Sequence, residues 1–387
     1  MCITVFASAC SKTDGVPESP PPINENPKKL IHIEWDHESE KVISHDVPQA
    51  NYGRVHRIGK DTLFLIYRSG RQKGHINIAL RKSFDNGETW QPVKIIVPDN
   101  DPDYYGFGGG ELLVLKNGWV LLVNEGRGLP DNNEKNNIQL RISKDRGETW
   151  GPRIIVAKGR SWEPAMIQLP DGEVQVYYSS EAKWWPSPEP RPQEILMCRS
   201  TDNGESWSAP ETVSFTENTR DGMAVPLLLA NGKGIVFAIE NVGLARSPWI
   251  MYSSVADNWH YPDLGTVANG RRWRAVQEDM HGGAPYLVQL PSGETLLSCH
   301  IGGGRNIAKW RFSTMAVFVG DEEAKNFRER SYPWPDLPSD RGFITNSLFV
   351  KDENTVVAIG TATYAGTAKT EIVWKEGRIV RSGIKFH

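Results

Sequence analysis

The feature that most constrains the fold of this chain is a hairpin pattern that recurs six times at a nearly constant interval. Each copy has an apolar run of alternating character, a short turn, and a second alternating run. Asn-Gly or Asp-Gly between two such runs is the strongest short-range signal for a β-hairpin. The turns recur every 54 to 61 residues along the 387-residue chain, at Asp61, Asn117, Asp171, Asn231, Ser292 and Asp352.

A second motif occupies a fixed place within three of these repeats. The octapeptides SFDNGETW (83–90), SKDRGETW (143–150) and STDNGESW (200–207) share Ser, Asp, Gly and Trp at one spacing, and each lies between two further strand-like runs. Each repeat therefore has four strands, with the octapeptide as the turn between the third and the fourth. A catalytic motif would rarely occur three times. We interpret the motif as structural, because Asp can accept backbone N–H groups, Gly supplies a positive φ, and Trp buries a large ring.

Repeated four-stranded units solve the problem of exposed sheet edges by closing into a ring. The pattern therefore predicts an all-β fold, a six-bladed β-propeller in which each blade is a four-stranded antiparallel sheet, over residues 30–387. Closure requires one blade to combine strands from both ends of the chain. We expect the run LIHIEWD (30–36) to complete the last blade beside the C-terminal strands.

The first 29 residues have a different character from the rest of the chain. MCITVFASAC is a short apolar run that ends at Cys10, and a polar, Pro-rich stretch follows it. This resembles a bacterial lipoprotein signal, although no Lys or Arg precedes the apolar run and Ala7 stands where Leu is usual. We expect a signal-like segment and flexible linker over 1–29, with Cys10 as a lipid anchor and export to the cell envelope, the periplasm or the medium. A disordered tail with an incidental cysteine is the alternative.

Composition excludes several other classes of function. The net charge of −3 gives no electrostatic case for a nucleic-acid partner. No apolar run approaches the roughly 20 residues of a membrane-spanning helix. Cys198 and Cys299 lie in separate strand-like runs and are expected to be buried free thiols, and the histidines show no metal-ligand spacing. We expect a monomer with no metal and no cofactor.

The octapeptide is similar to the Asp-box, or BNR repeat, of the sialidase superfamily. In that superfamily the boxes lie at the blade periphery, whereas the innermost strand of each blade lines a central channel and its N-terminal end reaches the substrate pocket. The resemblance therefore nominates two sets of residues in this chain. The starts of the first hairpin strands carry Arg54, Glu111, Glu163, Asp221, His281 and Asn346, and the ends of the second strands carry Arg68, Glu125, Arg127, Glu181, Glu240 and His300.

The carboxyl groups in these sets suit glycoside chemistry. Glycosidic bond hydrolysis uses two carboxyl groups across the scissile bond, one of them held protonated by an apolar setting. Glu163, between Trp162 and Pro164, and Glu240, at the end of an apolar strand, are the most conspicuous candidates, because an acidic side chain there is costly unless it is paired. The aromatic side chains that can stack on sugar rings include Trp162, Tyr177, Tyr178, Trp184 and Trp185, the last two in an insertion expected to form a rim loop.

Within the superfamily, the chain most resembles the exo-α-1,5-L-arabinanases of glycoside hydrolase family 93. The resemblance lies in SWEPAMIQLPDGEVQVYYSSE, RDGMAVPLLLANGKGIVFAIE and GGAPYLVQLPSGETLLS. It implies a retaining exo-glycosidase that cleaves α-L-arabinofuranosyl linkages by double displacement. It also implies Glu163 as nucleophile and Glu240 as acid/base, with Glu181 in reserve, although the sequence leaves the two roles exchangeable.

Two other functions remain open. A sialidase clamps its substrate carboxylate with three arginines; NYGRVHRI resembles the stretch with the first of these, but His300 stands where another would be typical. A propeller that only binds glycan is the third hypothesis, and it needs no converging carboxylates. In all three cases the partner is a carbohydrate, and the residues expected to bind it are Arg54, Glu111, Trp162, Tyr178, Glu181, Asp221, His281, His300 and Asn346.

Overall fold

The computed structural model describes residues 31–70, 76–129, 133–243, 247–276, 282–302 and 311–381. These residues form six antiparallel sheets, with short 3-10 helices at His37–Ser39, Asn133–Lys135 and Ala182–Trp184. The signal-like segment with Cys10, and also His281, lie outside the described residues. Export, lipid anchoring and the part expected of His281 therefore stay predictions.

Blades 1 to 3 are each built from four consecutive strands. Blade 1 contains β3 (Ala50–Arg57), β4 (Leu63–Ser69), β5 (Asn77–Ser83) and β6 (Lys94–Val97). Blade 2 contains β7 (Tyr104–Val114), β8 (Val120–Gly128), β9 (Asn137–Ser143) and β10 (Ile154–Lys158). Blade 3 contains β11 (Ser161–Gln168), β12 (Val174–Ser180), β13 (Glu194–Ser200) and β14 (Glu211–Ser214).

Blades 4 and 5 repeat this order, and blade 6 joins the two ends of the chain. Blade 4 contains β15 (Arg220–Leu228), β16 (Gly234–Val242), β17 (Pro248–Ser254) and β18 (Arg272–Arg274). Blade 5 contains β19 (Gly283–Gln289), β20 (Thr295–Ile301), β21 (Thr314–Gly320) and β22 (Arg328–Ser331). Blade 6 contains β23 (Arg341–Val350), β24 (Thr355–Tyr364), β25 (Thr370–Arg381) and β1 (Ile31–Trp35), and the short β2 (Lys41–Val42) also pairs with β25.

The ring is closed, as the repeat pattern predicted. The innermost strands contact one another in the cyclic order β3, β7, β11, β15, β19, β23 and back to β3. Strand β1 pairs antiparallel with β25, from Ile31 opposite Arg381 to Trp35 opposite Gly377. The six-bladed propeller and the closure by LIHIEWD are thus confirmed. Cys198 and Cys299 are buried free thiols, as expected.

The three octapeptides form the outer turns of blades 1 to 3, and their contacts are structural. In the first, Gly87 N–H donates to Ser83 Oγ at 2.8 Å and Thr89 N–H donates to Asp85 Oδ1 at 2.9 Å. Hydrogen bonds to the Asp85 carboxylate from the Thr89 hydroxyl, the Thr89 N–H and the Ser83 hydroxyl favour its ionised form and lower the pKa of Asp85 to about 2. Gly87 has φ +91°, and a Cβ there would lie 2.8 Å from the Trp374 ring of the neighbouring blade. The box therefore fastens one blade to the next.

Within the described ranges, no helix has the length and apolar character needed to cross a membrane. The same residues contain no group of three or more His, Cys, Asp or Glu side chains arranged to hold a metal ion.

Candidate active site

A β-bulge interrupts each of the six innermost strands near its N-terminal end. The register shifts between Asn51 and Arg54, Phe107 and Gly110, Trp162 and Ala165, Gly222 and Val225, Gly283 and Tyr286, and Phe343 and Asn346. Four of the bulges hold a non-glycine residue in the left-handed region, which is costly and often marks a functional site. These residues are Tyr52 (φ 62°), Glu163 (φ 53°), Met223 (φ 56°) and Ala284 (φ 49°).

The bulges surround one cavity of about 720 Å³ at the end of the channel. Every blade contributes a bulge residue to its wall. The ends of the second hairpin strands supply its charged and titratable groups. The bulge residues in the wall are Tyr52, Gly109, Glu163, Met223, Ala284, Ile344 and Thr345, and the second-strand residues are Arg68, Glu125, Arg127, Glu240 and His300.

Glu163 occupies the bulge of β11, and its carboxyl is held in an environment that disfavours charge. Its backbone N–H donates to Glu125 Oε2 at 3.3 Å. Burial raises the pKa of Glu163 to about 8, and the nearby carboxylates of Glu240 and Glu125 act in the same direction. Glu163 therefore carries a proton at neutral pH.

Glu240 lies near the end of β16 and meets the bulge of the next blade. Its Oε2 accepts the backbone N–H of Ala284 at 2.7 Å. A Cβ on Gly283 would lie 3.0 Å from Glu240 Oε2 and 2.5 Å from His300 Nε2, so both groups need a glycine at that position. Burial lowers the pKa of His300 to about 4, which leaves its ring neutral at ordinary pH.

Two arginines also line the cavity. Arg127 Nε donates to Glu125 Oε1 at 3.0 Å, so its charge is paired. Arg68 lies in the wall of blade 1, and its Nε has no hydrogen-bond partner among the described residues. Burial, together with the positive charge of Arg127, lowers the pKa of Arg68 to about 10, and the guanidinium still carries its charge at neutral pH.

Several residues expected to bind substrate lie behind the cavity wall instead. Arg54 is 1% exposed, stacks 4.1 Å from the centre of the Tyr52 ring and donates to the Asn346 carbonyl at 2.8 Å. Its Nε lies 3.4 Å from Glu111 Oε2, and Glu111 Oε1 is 2.5 Å from His56 Nε2. These groups fill the channel beneath Tyr52, and neither Arg54 nor Glu111 lines the cavity.

Most of the remaining residues expected to bind substrate also lie outside the cavity wall. Asp221 is buried in an ion pair with Arg272 at 3.1 Å, and Tyr178 packs in the core between blades 2 and 3. Asn346 donates to the Ala284 carbonyl at 3.0 Å from behind the wall. Glu181 and Trp162 lie towards the rim of blade 3 and do not line the cavity. Among the nominated residues that the structure describes, those that line the cavity are Arg68, Glu125, Arg127, Glu163, Glu240 and His300.

The residue pattern did not indicate the bulge residues Tyr52, Met223 and Thr345, which line the cavity together with Asn51 and Asn241. The glycine run at 108–110 was a signal for this arrangement. A Cβ at Gly108 would overlap the Glu125 carboxyl, and one at Gly109 would lie 2.8 Å from the Tyr52 ring. The absence of side chains at Gly108 and Gly109 therefore leaves room for the side chains of Glu125 and Tyr52.

Comparison with known structures finds the same fold in several solved proteins. A protein of unknown function from Dyadobacter fermentans is 17% identical, with TM-score 0.65, and covers 91% of this chain and 99% of its own. The α-L-arabinanase of Penicillium chrysogenum, solved with arabinobiose, is 18% identical, with TM-score 0.60 and coverage of 92% and 99%. The NanB sialidase of Streptococcus pneumoniae is 11% identical, with TM-score 0.60 and coverage of 89% and 70%. At these identities the likeness shows the fold alone.

The sequence itself matches a family model. No curated protein sequence matches the chain. A model described as a BNR repeat-like domain matches residues 28–176 and 131–299, which together span more than half of the chain. With its six-bladed ring and Asp-box turns, the chain belongs to the BNR repeat-like family.

Proposed function

We propose that this protein is a retaining exo-glycosidase in which Glu163 and Glu240 carry out a double displacement. The observation that carries the proposal is the presence, in one cavity, of two carboxyl groups with different surroundings. Retaining hydrolysis needs one carboxyl that donates a proton and one carboxylate that attacks. A protein that only binds glycan has no need of such a pair.

The protonation states favour roles opposite to those implied by the resemblance. Glu163, whose pKa is raised to about 8, holds a proton to donate. Glu240 accepts the Ala284 N–H at Oε2 and is the other carboxyl of the pair, left to attack the anomeric carbon. We therefore assign Glu163 as acid/base and Glu240 as nucleophile.

The reaction then has two steps. In the first, a Glu240 oxygen forms a bond to the anomeric carbon while the bond to the leaving oxygen breaks, and Glu163 gives its proton to that oxygen. In the second, the Glu163 carboxylate takes a proton from water, the water oxygen bonds to the anomeric carbon, and the bond to Glu240 breaks. Two inversions give overall retention.

The proposed substrate is a chain end with an α-L-arabinofuranosyl linkage. Its support is the resemblance of the SWEP and VFAIE stretches to exo-arabinanases, together with the likeness of the fold to an arabinanase solved with arabinobiose. Exo-action fits the cavity, because the channel beneath it is filled by buried Arg54 and Glu111.

One observation favours an exo-α-sialidase as the second candidate. The Arg68 guanidinium lines the cavity, and its Nε has no hydrogen-bond partner among the described residues, so a substrate carboxylate would suit it. A neutral furanose offers it only hydroxyl groups.

Turnover on matched substrates tests both candidates. We expect the wild type to hydrolyse an aryl α-L-arabinofuranoside and debranched arabinan, and Glu163→Gln and Glu240→Gln to lose at least about 10³-fold in kcat on arabinan. Hydrolysis of a sialyl glycoside that is lost in Arg68→Met would favour the sialidase. Unchanged activity in both glutamine variants would remove these residues from the mechanism, and an absence of turnover on every substrate would favour a glycan-binding protein.

A further inference from the structure

A row of alternating guanidinium groups and indole rings leads from the cavity to the rim of blade 3. Arg127, in the cavity wall, lies 5.0 Å from the centre of the Trp162 ring. Arg160 lies 4.8 Å from the ring centres of both Trp162 and Trp185. Arg191 lies 4.5 Å from Trp185 on the far side of this series. Trp162 directly precedes Glu163, so the row begins at the proposed acid.

The outer end of the row lies in the rim segment, residues 181–193, which joins β12 to β13. Ser180 pairs with Ser161, and Glu181 N–H donates to the Arg160 carbonyl at 3.0 Å, so the segment starts beside the N-terminal end of β11. At its other end, Gln193 N–H donates to the Thr219 carbonyl at 3.2 Å, at the start of blade 4. The rim segment therefore lies between the N-terminal end of β11, which carries Glu163, and that of β15, which pairs with the Glu240 strand β16.

The rim segment is held in place without burying Trp185. Glu181 is 2% exposed and pairs with Arg160 at 2.8 Å, Arg220 at 2.6 Å and Arg191 at 3.5 Å. The neighbouring Trp184 stacks on Phe215, with ring centres 5.3 Å apart. Trp185 itself stays 37% exposed.

The other exposed large hydrophobic residues of the described chain lie elsewhere. Ile95 and Ile155 are on the outermost strands β6 and β10, Phe84 is in an Asp-box turn, and Val267 precedes β18. An exposed ring on a fixed backbone, with two guanidinium groups beside it, is suited to a sugar. The ring packs against C–H groups, and the Arg160 guanidinium, whose side chain is 23% exposed, can donate to hydroxyl and ring oxygens. Arg191 is 7% exposed and bonded to Glu181, so it holds the ring at little cost in conformational entropy and does not contact the sugar.

We infer that the rim segment is a binding site for the glycan chain on the leaving-group side of the scissile bond, with the Trp185 ring as its stacking surface. The inference rests on the proposed function and deepens it. An exo-enzyme encloses the terminal sugar, so the rest of the chain must leave through the mouth of the cavity. The row runs from Arg127 in the cavity wall, through Trp162 beside Glu163, to the exposed ring of Trp185. The substrate class is therefore an oligosaccharide or polysaccharide rather than a simple glycoside.

The test is the dependence of kcat/KM on chain length. The probes are α-1,5-linked arabino-oligosaccharides of two to six units and, in parallel, sialyl oligosaccharides of increasing length. We expect kcat/KM of the wild type to rise with length, and Trp185→Ala to reduce the ratio of long-chain to short-chain kcat/KM by about tenfold. Trp185→Phe, which keeps an aromatic ring, should restore most of the ratio, and Phe84→Ala should leave it unchanged.

Binding to an inactive protein separates this inference from the proposed function. In the Glu240→Gln background, calorimetry with the longest oligosaccharide of each series should show weaker binding when Trp185→Ala is added. That result supports the rim site even if the wild type hydrolyses neither series. A wild type without length dependence, a length dependence kept in Trp185→Ala, or equal affinities in the calorimetric pair would each overturn the inference while leaving the glutamate assignment standing.

Discussion

At the scale of residues, the chemistry of the cavity depends on what surrounds Glu163 and Glu240. Both are glutamates in unusual positions on apolar strands, so the sequence nominates them equally. Their surroundings differ, because Glu163 lies near two carboxylates and Glu240 accepts the Ala284 N–H. The residue pattern does not show that the Ala284 N–H meets Glu240 or that Glu125 lies beside Glu163, because both contacts join neighbouring blades. For this reason the residues could be nominated from the sequence but their roles could not be assigned.

The decrease of kcat/KM at alkaline pH should reflect the loss of the proton from Glu163. Since this residue acts as the acid when protonated, kcat/KM should fall as pH rises through its pKa of about 8. Glu125→Gln removes a negative charge that raises this pKa and frees the positive charge of Arg127, which lowers it. Both effects move the alkaline decrease to lower pH, as measured by kcat/KM against pH.

Glu88→Gln is the matched control for this profile, because Glu88 lies in a peripheral Asp-box turn and pairs with Lys351 at 2.9 Å. The alkaline decrease of kcat/KM in Glu88→Gln should occur at the same pH as in the wild type. An alkaline decrease that stays in place or moves to higher pH in Glu125→Gln would contradict the assignment of Glu163 as the acid.

At the scale of elements, the β-bulges decide which side chains reach the cavity. Alternation along a strand predicts which face of the sheet each side chain lies on. A bulge adds one residue and reverses this alternation from that point onward. Arg54 and Asn346 follow their bulges and lie behind the wall, whereas Tyr52 and Met223 occupy bulges and project into the cavity. The repeat did contain a usable signal. In five repeats a bulge residue in the cavity wall precedes the hairpin turn by eight residues, at Gly109, Glu163, Met223, Ala284 and Ile344.

The Asp-box should matter for stability and not for catalysis. Gly147 and Gly118 both lie in blade 2 with positive φ, of +82° and +85°. A Cβ at Gly147 would overlap the Phe64 ring of blade 1, whereas nothing lies within 4 Å of one at Gly118. We expect Gly147→Ala to lower the free energy of unfolding by about 2–4 kcal/mol and Gly118→Ala by about 1 kcal/mol.

Denaturant unfolding followed by fluorescence measures both changes. The kcat/KM of folded Gly147→Ala should equal that of the wild type, because the box is at the blade periphery. Equal losses of stability in the two variants would contradict the interpretation of the box as a fastener between blades.

At the scale of the whole molecule, the fold followed from the sequence because it depends on a repeated pattern. Six hairpins at a nearly constant interval predict six similar sheets, and closing these into a ring packs each sheet against two neighbours. LIHIEWD was the strand-like run at the N-terminal end that belonged to no repeat, so it could be assigned to the last blade. The cavity could not be predicted in the same detail, because it is built where the six strands depart from regular pairing.

Closure of the ring should depend on the inward face of β1. Ile33 is 6% exposed and packs in the core cluster with Ile379, whereas His32 on the same strand is exposed. Ile33→Ala should cost about 2–5 kcal/mol of the free energy of unfolding, and His32→Ala no more than about 0.5 kcal/mol. Chemical denaturation measures both, and a similar cost for the two would show that blade 6 does not depend on β1.

In the proposed mechanism Glu240 attacks the anomeric carbon, and Glu163 donates the proton in the first step and takes one from water in the second. The most direct test of this mechanism is peptide mapping by mass spectrometry after incubation with an epoxide that mimics α-L-arabinofuranose and alkylates the nucleophile of a retaining enzyme. If Glu240 is the nucleophile, we expect one ester adduct, on Glu240, that is absent from the Glu240→Gln variant. An adduct on Glu163, or labelling that persists in Glu240→Gln, would contradict it.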